Sequence, residues 1–391
     1  MPNHTNRAVG PAILCVVIST TGASLPGQGN ADDIVVDLGM EMGRPVVEAK
    51  VNGKGPFRFV LDTGAGSLIL NSDLVRELGV VETGTTRVGD PSSPTAIEAT
   101  EYKIESVAIG GATFSEMVAI SWDDETIRNG IGDVRGILGL QALSDYVVVM
   151  DFPNGKLRLS KEPLTPTDGS IPFSLDLHSI PTIDITVDGQ RVKSHIDTGN
   201  FGDLSLPKRL MKKLKLKGEP MKAHARTASG TFELLVAQLD GDVTIAGQTI
   251  RNPEVHFNDR FDWGNIGTGI VSRFIFSIDQ KNQRILLAPT GAERRSPTRR
   301  VVAGPALNPP NRRYGIMIVM SSQGPMEVQG AVPGSIAEKA GLRKGDKIIS
   351  INGQEVASLG MSRRGELLRE SPVTMLVERN GRKIEIRMSL D

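Results

Sequence analysis

What the chain has least of narrows it first. It contains one cysteine, Cys15, which lies in an N-terminal apolar run. A disulfide framework, a thiol nucleophile and a cysteine-based zinc site are therefore excluded from the rest of the chain. The five histidines, His4, His178, His195, His224 and His256, show no ligand spacing, so no metal site is expected. A Gly-x-Ser-x-Gly elbow and a phosphate-binding loop are both lacking. Gly64-Ala-Gly66 follows a strand-like run but lacks the third glycine and the helix of a dinucleotide site, so no cofactor is expected. Aromatics make up only 4% of residues, which leaves the interior to Val, Ile and Leu. With 45 basic and 45 acidic residues the chain has no general pull towards polyanions, and nucleic acid is not an expected partner.

Long apolar runs are also missing. The longest candidate, residues 8–20 after Arg7, is short for a membrane span. With the small residues Thr21-Gly22-Ala23-Ser24 behind it, it reads as an export signal cleaved near Ala23. Residues 1–30 are then signal and N-terminal extension, and the mature protein is periplasmic or extracellular. Two alternatives stay open: an uncleaved run that tethers the chain to the membrane, and a lipid on Cys15, which the bulky Leu14 before it disfavours. Asp123-Asp124-Glu125 reads as a solvated acidic loop rather than a cation site.

What the chain does have is a duplication. The triplet Asp62-Thr63-Gly64 returns as Asp197-Thr198-Gly199, 135 residues later, about one small domain apart. Each copy follows a hairpin pattern: Arg44 to Gly53 returning through Phe57 to Asp62, and Ile180 to Gly189 returning through Arg191 to Asp197. Behind each triplet lie a short apolar run and a helix-like stretch, Ser72 to Leu78 with Ser72 as cap and Gly79 as stop, and Pro207 to Leu216. Val107 to Phe114 mirrors Val243 to Ile250, and Gly136-Ile-Leu-Gly139 has a looser partner in Gly267-Thr-Gly-Ile270. Each half closes with a hairpin, Val147 to Leu159 and Phe274 to Leu287. The expected fold is mostly β, with two barrel-like lobes over 31–165 and 166–290.

These residues resemble the bacterial retropepsin-like, pepsin-type aspartic peptidases over about 35–290. The resemblance implies a cleft between the lobes in which Asp62 and Asp197 form a catalytic dyad. Two close carboxylates cannot both ionise, so the pair shares one proton. The charged member takes a proton from a water that attacks the peptide carbonyl, and the neutral member protonates the developing oxyanion. Thr63 and Thr198 would pin the two loops together, and Gly64 and Gly199 would bring backbone N–H groups to the acids. The hairpins Thr83 to Tyr102 and Ala225 to Leu234 are candidate lids or ordinary surface hairpins. Asn200, where a small residue is usual, would hydrogen-bond Asp197 or crowd it. His195, two residues before Asp197, shares its strand face and is a candidate for tuning it or for a plain core residue. These departures leave a second reading open, a non-catalytic peptide-binding scaffold.

Residues 312–391 carry an independent pattern. Val332 to Gly353 resembles the core of a PDZ domain: a Ser335/Glu338 capping box, Gly341 ending a short helix, the strand Lys347 to Ile351 and an Asn352-Gly353 turn. The resemblance implies an α+β domain that binds peptide C-termini or internal segments on a sheet edge. The groove would be Tyr314, Gly315, Ile316, Met317 and Ile318, facing a helix at about Met361 to Glu370. Residues 291–311, rich in Pro and Arg, read as a semi-extended linker. The expected partners are therefore polypeptide substrates and peptide segments.

Overall fold

The structure, a computed structural model, describes residues 32–88, 97–121, 133–176, 179–227, 230–289, 314–319, 326–331, 334–359 and, within 363–390, all but 365, 366 and 369. The expected signal, the linker, and the acidic Asp123 to Glu125 lie outside these residues.

The chain is mostly β, in two lobes and a C-terminal domain. In the first lobe the order across the sheet is Gly39–Glu41, Arg44–Val51, Lys54–Asp62, Gly136–Gly139, Leu68–Leu70, Ala112–Ser121, Ile97–Ile109, Glu82–Val88. Arg44–Val51 also pairs with Ile97–Ile109, which rolls the sheet towards a barrel. The period-two pattern sets its inner face: Phe59 and Leu61 point inwards with Leu68, Leu70 and Leu138, all at most 2% exposed. Each such side chain contributes about 1.5–3 kcal/mol through burial. The second lobe repeats the plan, with Pro181–Val187, Gln190–Ile196, Gly264–Ile266, Leu204–Pro207, Glu254–Asn258, Gly230–Leu239 and Leu216–Thr227 side by side.

Three local expectations change. Asn71, not Ser72, caps the helix Ser72–Leu78: its side chain accepts the Leu74 N–H, while Gly79 ends the helix in the left-handed region as expected. Pro207 stays in the strand Leu204–Pro207, paired with Asn258, and only a 3-10 turn, Lys208–Lys213, follows. Pro207 offers no side-chain cap to that turn. The counterpart of Gly136–Gly139 is Gly264-Asn265-Ile266-Gly267, three residues earlier than the sequence match placed it. Both segments pair in parallel with the strand that leads to an Asp-Thr-Gly triplet.

The two closing hairpins do more than close their lobes. Val147–Asp151 pairs antiparallel with Ile275–Asp279, Val149 lying opposite Ser277. One six-stranded sheet results, ordered Ile34–Asp37, Lys156–Ser160, Val147–Asp151, Ile275–Asp279, Arg284–Ala288, Ile171–Pro172. Its two halves are related by a pseudo-twofold axis through that central pair.

The C-terminal domain orders Ile316–Val319, Met326–Ala331, Lys347–Ile351, Val373–Arg379 and Arg382–Met388 around its own core, which includes Tyr314, Ile348, Leu367 and Val377. Ser335 caps the helix Ile336–Lys339, but Glu338 reaches the Gly334 N–H at 2.6 Å, one residue before the cap. Of the expected groove helix, residues 363, 364 and 367 are described as helical.

Candidate active site

Two threonines decide where the acids stand. Thr63 and Thr198, both at most 1% exposed, meet across the lobe boundary. The Thr63 N–H donates to Thr198 Oγ1 and the Thr198 N–H donates to Thr63 Oγ1, each at 3.0 Å. Each hydroxyl then donates to the opposite strand: Thr63 Oγ1 to the Ile196 carbonyl at 2.7 Å, and Thr198 Oγ1 to the Leu61 carbonyl at 2.6 Å. Every polar atom in this interlock is paired, as its burial demands.

The interlock brings each triplet's glycine against the other triplet's acid. A Cβ on Gly64 would stand 2.6 Å from Asp197 Oδ1, and one on Gly199 would collide with the Asp62 carboxyl. Only glycine leaves room there. The Gly64 and Gly199 N–H groups both donate to Asp62 Oδ1, at 2.7 and 3.2 Å. Each carboxyl thus packs against the other triplet's glycine, so the two acids face each other. Burial, then the charge of Asp197, pushes Asp62 up to about 7, against the opposing Gly64 N–H and Arg44 guanidinium. Burial and the neighbouring charge together favour a pair that shares one proton and titrates as a unit.

The surroundings of the pair are not symmetric. Asp197 Oδ1 accepts the Asn200 N–H at 3.0 Å and its Oδ2 accepts Asn265 Nδ2 at 2.7 Å. Asn200 Nδ2 donates to Asn265 Oδ1 at 2.8 Å, and Asn200 Oδ1 accepts the Gly202 N–H at 2.8 Å. Asn200 therefore supports the loop rather than crowding it. From the first lobe Arg44 reaches over: its Nε donates to the Gly199 carbonyl at 2.6 Å, and its guanidinium sits 4.8 Å from the Phe201 ring centre. Burial lowers the Arg44 pKa while Asp62 and Asp197 counter that drop. Thr268 Oγ1 fastens the same corner by donating to the Gly43 carbonyl at 2.6 Å.

His195 is placed elsewhere than the tuning expectation had it. It is on the Asp197 face of its strand, but its Nε2 lies 3.0 Å from Asp176 Oδ2 and its ring packs 5.2 Å from Trp263. Arg44 and Asn265 were missed by the sequence. Arg44 could have been found as the odd member of the repeat, since the matching position holds Ile180. Asn265 was hidden by the three-residue misalignment of its glycine segment. Among the described residues no cluster of His, Cys, Asp and Glu could hold a metal.

Both candidate lids are hairpins, Glu82–Val88 with Ile97–Ile109 and Leu216–Thr227 with Gly230–Leu239. The tip of the first, residues 89–96, lies outside the described residues. In the C-terminal domain the expected groove strand is an edge strand, Ile316–Val319, paired with Met326–Ala331. Gly315 precedes it in a turn with φ of 75°. Tyr314 belongs to the core: its hydroxyl donates to the Glu370 carbonyl at 2.6 Å, and its own carbonyl accepts the Ala337 N–H at 2.8 Å.

Comparison with known families agrees with this geometry. A family profile described as aspartyl protease matches residues 47–142 and 183–284, just over half of the chain. A PDZ domain profile matches residues 327–379. No curated protein matches the chain.

Proposed function

The chain belongs to the aspartyl protease family and carries a PDZ domain, and from that premise we propose that it is an exported endopeptidase that hydrolyses peptide bonds through the Asp62–Asp197 dyad. The observation that carries the reading is the facing carboxyl pair inside the threonine interlock, each acid set against the other triplet's glycine. The scaffold reading needs His195, Asn200 or another side chain to fill the gap between the acids; the Asn200 side chain instead bonds Asn265 and the Gly202 N–H, and His195 Nε2 lies 3.0 Å from Asp176 Oδ2.

Asp62, neutral through burial, supplies the proton for the developing oxyanion. Asp197, ringed by amide donors, is the acceptor that takes a proton from the attacking water. No covalent intermediate forms: the water oxygen adds to the carbonyl carbon as Asp197 takes its proton and Asp62 gives its own to the carbonyl oxygen; the C–N bond then breaks as Asp197 passes its proton to the leaving nitrogen and a hydroxyl proton returns to Asp62, releasing an amine and a carboxylic acid. The PDZ edge strand adds a peptide end or an internal segment beside its sheet and so selects or gates the substrate. Export rests on the apolar run at 8–20 and the small residues up to Ser24.

The test is cleavage of a mixed peptide library across pH by wild type, Asp62→Asn and Asp197→Asn. Each substitution is expected to abolish turnover while circular dichroism and thermal unfolding retain a folded chain. Turnover that survives either change rules the dyad out.

A further inference from the structure

Strand register lets the two walls of the cleft be compared position by position. In the first lobe the residues on the Asp62 face form one row across the sheet. Val46 lies opposite Val60, Val60 beside Ile137, Ile137 beside Ile69, and Ile69 beside Ile120. In the second lobe the matching row is Thr182, His195, Asn265, Ser205 and His256. All five positions are aliphatic in one lobe, and all five carry hydrogen-bonding groups in the other. The opposite, inward faces show no such contrast, with Leu61, Leu68 and Leu138 matched by Ile196, Leu204 and Ile266. A duplicated core has been kept apolar on both sides, while the face shared with the acids has diverged.

These rows flank the dyad. Val60 and His195 each lie two residues before an acid, on its side of the strand. Ile137 and Asn265 sit beside them, both half-buried, and Asn265 touches Asp197. The lid hairpins extend the contrast. Val88 of the first packs with Ile69, Ala99, Ile120 and Ile137 in one aliphatic cluster. Phe232 of the second instead joins Phe261 and, through it, Trp263, which covers His195. The polar row is organised rather than bare, since His256 Nε2 holds Glu254 Oε1 at 2.8 Å and His195 holds Asp176.

We propose that the cleft takes an asymmetric segment: an aliphatic side chain against the first-lobe wall and a hydrogen-bonding side chain (Asn, Gln, Ser or Thr) against the second, on opposite sides of the bond that is cut. This rests on the peptidase reading above and names its substrate class. An aliphatic side chain laid on Ser205 takes water from its hydroxyl, and a polar one laid on Ile69 and Ile137 finds no partner for its own polar atoms. A dyad with two chemically opposite neighbours also fixes the direction in which a chain lies.

The experiment is proteolysis of a complex peptide library by the full chain, with cleavage sites read by mass spectrometry. Aliphatic residues are expected to be enriched on one side of the cut only, and Asn, Gln, Ser and Thr on the other. Ser205→Val, which copies the first-lobe chemistry at a position outside the dyad, is expected to raise kcat/KM about tenfold for peptides aliphatic on both sides. Ile69→Thr is expected to do the reverse, lowering cleavage of every peptide that needs the aliphatic wall. Equal aliphatic enrichment on both sides, or Ser205→Val and Ile69→Thr with unchanged profiles in folded protein, overturns the asymmetric cleft and leaves the peptidase reading standing. A library left whole by wild type overturns both.

Discussion

Replacing Thr198 with valine keeps the side-chain volume and removes one oxygen from the interlock. That oxygen accepts the Thr63 N–H at 3.0 Å and donates to the Leu61 carbonyl at 2.6 Å. Leu61, Thr63 and Thr198 are at most 1% exposed, so water does not replace it. A buried donor and a buried acceptor are left unpaired, at about 1–3 kcal/mol each. The loss for Thr198→Val is therefore about 2–6 kcal/mol, a large part of the about 5–15 kcal/mol that holds a typical fold together. Thr63→Val removes the mirror-image pair of bonds and should cost about the same. Urea unfolding followed by circular dichroism measures both, and peptide cleavage should fall in each because the acids lose their fixed separation. A Thr198→Val chain within about 0.5 kcal/mol of wild type would show that the interlock is ornamental and refute the reasoning.

Three further outcomes are expected. Because burial holds Asp62 at about 7, far above its value in an unfolded chain, the folded state resists its ionisation. Stability should fall as pH rises from about 4 towards 7 and level off beyond, and Asp62→Asn should flatten that slope in unfolding experiments. Activity should decline as pH passes through about 7, where the folded protein loses the proton donor. Arg44→Met removes a charge that lowers Asp62, so the upper limb of the pH–rate profile should move to higher pH, with kcat reduced by the loosened Gly199 loop; an unmoved limb would separate Arg44 from the dyad. Gly267→Ala should destabilise by at least about 1–3 kcal/mol, since a Cβ there meets the Gly202 and Asn200 carbonyls, and thermal unfolding reports it.

Much of the architecture could be read in the chain because duplication writes the same pattern twice. The hairpins before each acid, the helix from Ser72 to Leu78 and the closing hairpins all rest on local alternation and turn chemistry. What could not be read is non-local. Nothing in Val147–Asp151 or Ile275–Asp279 says that each is the other's neighbour, because a strand edge carries no address. The position of Asn265 depends on strand register, where a shift of a few residues changes which side chain meets Asp197. His195 was on the expected face, yet its partner is the carboxylate of Asp176, just past the strand Ser174–Leu175, which no local pattern announces. Arg44 opens the hairpin that ends at Asp62, yet the Gly199 carbonyl it holds lies 155 residues on and comes within reach only once the lobes are assembled.

The sheet that both halves build together has a consequence for the halves themselves. A first lobe expressed without the second would present Val147–Asp151 as a bare edge, and an unsatisfied edge recruits another strand. Since that edge pairs antiparallel with its own duplicate, a second copy of the same fragment fits it in the same register, with Val149 facing Val149. The severed half would thus refold as a homodimer carrying two copies of Asp62, a symmetric ancestor recovered by cutting the chain at its midpoint.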